Sequence, residues 1–408
     1  MEMKYRLWAC LLFLPMVLWA SGRPKVAVVL SGGGAKGTAH IGALKVIEEA
    51  GIPIDYVVGT SMGAIVGGLY SIGYTPQQLD SMVNAQNWKF LLSDAPNPKD
   101  VLLDDRLKSE RYVLSIPFSL KSAAVSDAGI IKGKNLARLF STLTEGYQDS
   151  VDFSRLPIPF ACVSENLVNG SEVVFHEGIL ATAMRSSMSI PGVFAPVDLD
   201  GMVLVDGGMV NNYPVDVALA MGADYIIGVD VQSPLLKASE LKSVKDIFGQ
   251  IINLQGEKKY RENLRNTDVL IKVDVTGYSA ASFTKEAIDT LMVRGERAAM
   301  DSWDGLLALK RKLGLAEDYQ PRRPGPFRLP GAAVDREIPV DSQIAVPAVR
   351  ENKLNVGVAG KYGLLFRPAA GVAGQPHRPS GQAYTGTTWI WLSMGRWMAG
   401  RTCLSVRL

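Results

Sequence analysis

The chain has 408 residues, 47% of them hydrophobic and 20% charged, the composition of an ordinary globular protein with room for one large domain and an appendage. The formal charge of +3 hides an uneven spread: no acid follows Glu351 and seven basic residues do, which leaves 36 Lys and Arg against 40 Asp and Glu in residues 1–351. That mildly acidic body excludes the basic stripe a nucleic-acid partner would need.

Residues 1–22 read as a secretory signal. Lys4 and Arg6 precede an apolar run from Leu7 to Ala20, and small residues follow at Ser21 and Gly22. The run is short for a membrane span. The expectation is export, to the periplasm, the outer membrane or the medium. Of the three cysteines, Cys10 falls in the signal, Cys162 in an apolar run and Cys403 in the tail. No disulfide framework follows from them.

From residue 25 to 320 strand-like and helix-like segments alternate, which predicts a mostly parallel sheet covered by helices. Lys25–Leu30 reads as a buried strand, followed by a glycine cluster and a helix to about Ala50. Tyr56-Val57-Val58 is a second strand and leads into Gly59-Thr60-Ser61-Met62-Gly63 and another helix. Further strands are expected at Ala161–Val163, Val173–Phe175, Met202–Val205, Tyr225–Val229 and Val269–Val273. Helices are expected near 130–145, 178–187, 214–221, 243–264 and 283–313. Residues 86–128 break the rhythm and read as a cap or lid. Residues 321–350 are a Pro-rich linker. Residues 351–408 hold three of the seven Trp and no acid after Glu351, and show no sustained period. Such a tail is expected to be irregular, a truncated or out-of-frame remnant.

Strand, G-x-S-x-G, helix is the pattern of a nucleophile elbow, in which small neighbours let the chain turn tightly beneath an exposed serine. Ser61 is therefore the candidate nucleophile, with Gly59, Thr60, Met62 and Gly63 as the elbow. The cluster Gly32-Gly33-Gly34-Ala35-Lys36-Gly37 fits two patterns. As a dinucleotide fingerprint it would need an acid at the far end of the second strand, where the serine elbow stands instead. As an oxyanion hole it offers consecutive backbone N–H groups at a helix start.

The serine needs a base. The chain has three histidines. His40 precedes the serine, His176 precedes the candidate acid and His377 lies in the tail, so a Ser-acid-His order is poorly served. A carboxylate is left. Val203-Leu204-Val205 ends in Asp206-Gly207-Gly208. Asp-Gly is a common hairpin signal, yet Asn211-Asn212-Tyr213-Pro214 and a helix follow. An Asp at a strand end could take the serine proton directly.

The glycine loop, the elbow, the block Ser187-Met188-Ser189-Ile190-Pro191-Gly192-Val193-Phe194-Ala195-Pro196 and Asp206-Gly207-Gly208 stand in the order of patatin-like phospholipases. Over residues 25–220 the chain resembles their bacterial branch, near the neuropathy-target-esterase-like proteins. The resemblance implies Ser61 as nucleophile and Asp206 as proton acceptor. It implies an oxyanion loop of Gly32, Gly33, Gly34, Lys36 and Gly37, with Pro191–Pro196 shaping the acyl site. It implies a patatin-like three-layer α/β fold, with 221–320 completing the domain. It also implies a phospholipid or lysophospholipid substrate at a membrane surface, and no metal or cofactor. A transacylase with the same residues and a non-catalytic surface module are the alternatives.

Overall fold

Val26–Leu30 (β1) is Val-Ala-Val-Val-Leu, and every one of its residues is buried. Val26, Val28 and Leu30 enter one apolar cluster, while Ala27 and Val29 enter another. Successive strand residues point to opposite faces, so a strand apolar at both parities must lie between two covering layers. The computed structural model describes residues 23–96, 131–242 and 244–322, together with strands at 115–119, 353–358, 364–368, 391–396 and 402–407. The segment expected to be a signal, almost all of the expected linker, and His377 lie outside the described residues.

The described chain forms two units. In the larger, β1 leads through the glycine loop into Ala39–Glu49 (α1), and Tyr56–Thr60 (β2) leads into Met62–Ser71 (α2). Pro76–Ala85 (α3) starts with a capping box between Thr75 and Gln78, which satisfies two orphan donors. Trp88–Leu91 (α4) and Lys134–Leu143 (α5) follow, then Phe160–Asn166 (β3), Ser171–Phe175 (β4) and Leu180–Ser187 (α6). Val197–Leu199 (β5), Met202–Asp206 (β6), Val215–Ala220 (α7) and Tyr225–Asp230 (β7) come next. Val244–Arg265 (α8), Val269–Lys272 (β8), Lys285–Asp301 (α9) and Trp303–Lys312 (α10) complete the unit. The single helix expected near 283–313 is broken at Ser302, which caps both α9 and α10.

The sheet order is β8-β7-β1-β2-β3-β6-β5, with β4 on the free side of β3. The five strands from β8 to β3 are parallel. The pairs β3–β4, β3–β6 and β5–β6 are antiparallel. Helices α1, α2 and α9 cover one face through residues such as Leu44, Leu69 and Leu291. Helix α7 covers the other through Val215 and Ala218. The architecture is three-layer α/β with a largely parallel centre.

One register decides the site. Along β3, Cys162 and Val163 pair with β2 and also with β4, so those two neighbours lie on opposite edges. Ser164, Glu165 and Asn166 pair with β4 and with β6. Strand β6 therefore shares the edge used by β2. Thr60, the last residue of β2, opposes Val163, and Asp206, the last of β6, opposes Ser164. The two strands run toward each other and end in adjacent register slots.

The smaller unit is an antiparallel sheet of five strands in the order 402–407, 391–396, 364–368, 353–358, 115–119. The tail expected to be irregular supplies four of them. Lys353-Leu354-Asn355-Val356-Gly357-Val358 does alternate, but for only six residues, too few to stand out by period. The fifth comes from the segment expected to be a lid. Its Pro117 lies on the outermost strand, where a residue without an N–H is tolerated.

The elbow demands close backbone contact. A side-chain carbon on Gly59 would lie 2.3 Å from the Gly63 carbonyl oxygen, and one on Gly63 would lie 2.2 Å from that of Leu30. Backbone cannot yield as a side chain can, so Gly63→Ala is expected to destabilise the protein by about 1–3 kcal/mol or more. Urea unfolding of the purified variant measures this, and an unchanged midpoint would refute the close packing.

Candidate active site

Ser61 follows β2 directly and carries φ 56° and ψ −121°. For a residue with a side chain this is a strained conformation, of the kind retained where the surroundings over-determine it. The restraint is visible. The Ser61 N–H donates to Ser187 Oγ at 2.9 Å, and the Ser187 hydroxyl donates to the Val163 carbonyl at 2.6 Å. The Thr60 hydroxyl donates to the Asn211 carbonyl at 2.8 Å. The elbow is thus tied to β3, to α6 and to the segment after Asp206.

The Ser61 hydroxyl donates to Asp206 Oδ2 at 2.6 Å. The other carboxylate oxygen accepts the Gly208 N–H at 2.8 Å, and the Asp206 N–H donates to the Ser189 carbonyl at 3.0 Å. Ser61 is 4% exposed and Asp206 6%. Burial pushes the Asp206 carboxyl up from 3.8 to about 6, against the downward pull of its bonds from Ser61 and Gly208. Desolvation penalises the charged form, and two hydrogen bonds recover only part of that penalty. A carboxylate poised near 6 is a competent base at neutral pH.

The glycine loop lies beside this pair: a side-chain carbon on Gly32 would stand 3.1 Å from Ser61 Cβ and 2.2 Å from Asn212 Oδ1. Its amides divide. Gly32 N–H donates to the Asn212 carbonyl at 3.0 Å and Lys36 N–H to the Gly33 carbonyl at 3.3 Å. Among the described residues, the amides of Gly33 and Gly34 meet no acceptor. Both amides are free to donate. A side-chain carbon on Gly37 would stand 2.5 Å from Met62 Cγ. Lys36 sends its ammonium to Ser233 Oγ at 3.0 Å.

His40 is fully buried and its Nε2 meets the Ser31 carbonyl at 2.8 Å. Burial lowers it to about 4, so it is neutral and braces the end of β1. Cys162 is buried and free in the core, its thiol pushed well up by burial. Among the described residues no group of His, Cys, Asp and Glu is placed to hold a metal ion.

Next to the pair lies an apolar cavity of about 40 Å³, lined by Met62, Ile65, Met188, Leu136, Trp88 and Phe283 among others. Trp88 and Phe283, both in its wall, stack on each other with ring centroids 4.7 Å apart. Of the block Ser187–Pro196, Met188 lines this cavity. Residues 191–196 do not. Their loop is held by Arg185, whose buried guanidinium donates to the carbonyls of Lys132 and Ala195 and lies 5.3 Å from the Phe194 ring centroid. No sequence pattern marks Ser187 as the residue that fixes the elbow amide. Its hydroxyl type was visible; its partner was not.

Fold and site define a class: three-layer α/β proteins with an elbow serine bonded to a carboxylate. Residues 28–219 match the family model for patatin-like phospholipase. An uncharacterized NTE family protein of Mycobacterium tuberculosis is 32% identical over 211 residues, covering 52% of this chain and 50% of that protein. Patatin-like phospholipase domain-containing protein 6 of Homo sapiens is 32% identical over 210 residues, covering 51% of this chain and 13% of that protein. Lysophospholipase NTE1 of Mycosarcoma maydis is 27% identical over 306 residues, covering 69% of this chain and 15% of that protein. The chain thus spans half or less of the length of these relatives. Its residues 28–219 belong to the patatin-like phospholipase family, and the relatives they match are of the NTE-like branch.

The raised Asp206 carboxyl carries a stability consequence. Its folded value lies above its unfolded one, so the stability it contributes is fully present below about pH 3.8 and lost as pH rises through about 6. The difference amounts to about 3 kcal/mol. Asp206→Asn is therefore expected to be the more stable protein at pH 8, with the advantage shrinking toward pH 4. Urea unfolding of both proteins across that range tests it; parallel pH profiles would show that the carboxyl is not raised.

Proposed function

We propose that this protein is a serine lipid acyl hydrolase of the phospholipase A or lysophospholipase type, working through a Ser61–Asp206 dyad. The observation that carries the reading is the 2.6 Å bond from the Ser61 hydroxyl to Asp206, made by a strained elbow serine with no imidazole between them.

Asp206 takes the Ser61 proton as Oγ attacks the ester carbonyl carbon. The carbonyl oxygen gains negative charge facing the open amides of Gly33 and Gly34, and preorganised donors of this kind are each worth about 3–4 kcal/mol of barrier. The tetrahedral centre collapses, the bond to the leaving alcohol breaks, and the proton passes from Asp206 to the departing oxygen. Water then repeats the sequence on the acyl-enzyme and restores Ser61. Because Ser61 sits in β-strand-to-helix geometry tied at its amide, the attack needs little reorganisation.

The substrate class rests on the apolar cavity beside Met62 and Met188 and on the family. A cavity of about 40 Å³ is too small for a chain of many methylenes, so acyl binding requires it to widen. The lysophospholipase name of the fungal relative supports a single-chain lipid. Export to an extracytoplasmic membrane surface is the setting that the first 22 residues suggest.

Ser61→Ala is expected to abolish hydrolysis of a lysophospholipid and labelling by a fluorophosphonate probe, while far-UV dichroism stays native. In the unaltered protein kcat/KM should rise through about pH 6, as Asp206 ionises. A folded Ser61→Ala protein that retained hydrolysis would overturn the reading.

A further inference from the structure

Residues 207–212 touch each part of the site. The Gly208 N–H donates to Asp206 Oδ1 at 2.8 Å. The Asn211 carbonyl accepts the hydroxyl of Thr60, the neighbour of the nucleophile, at 2.8 Å. The Asn212 carbonyl accepts the Gly32 N–H at 3.0 Å. Base, elbow and glycine loop therefore take their alignment from one short stretch of backbone. On one side that stretch has no slack, because a side-chain carbon on Gly207 would lie 2.3 Å from the Val163 carbonyl oxygen. Its other side is held by side chains outside the site.

The side chain of Asn211, itself buried, enters a polar cluster. Its Nδ2 donates to Glu172 Oε1 of β4 and to Asp216 Oδ1 of α7, each at 2.8 Å. Its Oδ1 accepts from Asn263 Nδ2 of α8 at 3.3 Å. Asn263 is buried as well. It donates further to Asp216 Oδ1 at 3.0 Å and to the Tyr213 carbonyl at 2.8 Å, and its Oδ1 accepts the Asp216 N–H at 3.2 Å. Lys259, one turn earlier in α8, joins the two carboxylates, pairing with Glu172 and, at 2.9 Å, with Asp216 Oδ2. Both amide groups of the two asparagines are thus satisfied. A buried network with every member satisfied specifies one arrangement of the chain. Asn263 follows Asn211 by 52 residues and lies beyond residues 28–219, where the family match ends.

We propose that Asn263, braced by Lys259, is a positioning residue for the reaction: through Asn211 it holds the 207–212 backbone where the elbow, the base and the glycine loop meet. The inference rests on the acyl-hydrolase reading and deepens it. Asn263 reaches no reacting atom and moves no proton. The path from it is short: Asn263 to Asn211, the Asn211 carbonyl to the Thr60 hydroxyl, and Thr60 to the strained Ser61. Bonds to Tyr213 and Asp216 alone would serve to fasten α8 to the sheet. The bond to Asn211 extends that hold to the site. A loosened 207–212 segment would draw the Gly208 N–H from Asp206 and the Asn212 carbonyl from Gly32, and small misplacements around a reacting centre cost a large share of the rate.

The test is the rate at which a fluorophosphonate probe labels Ser61 in the full-length protein. Asn263→Asp keeps the shape of the side chain and sets a carboxylate against Asp216, the Tyr213 carbonyl and Asn211 Oδ1. Lys259→Met is milder, removing only the ammonium between Glu172 and Asp216. The final extent of labelling counts folded sites, and it should match that of the unaltered protein. The rate constant should fall on the order of 100-fold in Asn263→Asp and about tenfold in Lys259→Met. With a lysophospholipid, kcat should fall by the same factors while KM stays unchanged. The acid limb of kcat/KM should move up from about pH 6, because the Gly208 bond that draws the Asp206 carboxyl down is weakened. An unchanged rate constant in both variants, whatever the final extent, would show that the cluster only holds the fold together and would overturn the proposal. Where Asn263→Asp gives no folded protein, the Lys259→Met rate constant decides alone. No labelling and no hydrolysis by the unaltered protein would instead remove the acyl-hydrolase reading on which the proposal stands.

Discussion

The arrangement on which the site depends is a meeting of two strand ends along one edge of β3. Strand β2 runs parallel to β3 and stops at Thr60 opposite Val163. Strand β6 runs antiparallel and stops at Asp206 opposite Ser164. Adjacent register slots fix the two backbones within a few ångströms before any side chain is considered. The 2.6 Å bond between Ser61 and Asp206 is then a consequence of sheet hydrogen bonding, the most rigid framework a protein has. A serine and a carboxylate separated by 145 residues of sequence could not be held so closely by loops alone. It also explains why a glycine stands near each end: Gly63 must pass the Leu30 carbonyl and Gly207 the Val163 carbonyl.

The same geometry sets an energetic tension. Placing Asp206 at the junction buries it, and burial raises its proton affinity. A carboxyl better solvated there would be a more stable group and a weaker base. Ser61 shows the same tension in its backbone: a residue with φ 56° is held by the bond its N–H donates to Ser187 and by those its carbonyl accepts from the helix it starts. Strain and desolvation are concentrated in two neighbouring residues. The cost is borne by a sheet whose strands are apolar on both faces, with β1 contributing to each cluster.

Much of this was legible in the sequence because it is written in local patterns. The run Val26–Leu30 can be only a doubly covered strand, and Gly59–Gly63 between a strand and a helix can hardly be other than an elbow. The partner of Ser61 was legible by elimination, since the histidines stand in the wrong places. What was not legible is pairing. The expectation placed Asp206 at the carboxyl edge of a parallel sheet, yet β6 is antiparallel and reaches Ser61 end-on. Nothing in Met202–Asp206 states its direction, which long-range hydrogen bonds to β3 decide. The role of Ser187 escaped for the same reason, because it depends on a partner distant in the chain. The six-residue alternation at Lys353–Val358 was lost in a tail whose composition drew the eye.

The surroundings of the dyad follow from topology. Strand β1 has β2 on one side and β7 on the other, and ligands bind where the order of a sheet reverses. The β2 side leads to α2, whose Met62 and Ile65 open the apolar cavity. The β7 side ends in buried Asp230, and a buried carboxylate recruits donors: Lys272 from β8 and Tyr260 from α8. That cluster sits beside the glycine loop because β7 is hydrogen-bonded to β1 along its whole length. The order of three strands therefore puts Ser61 at the tip of the strand beside the reversal.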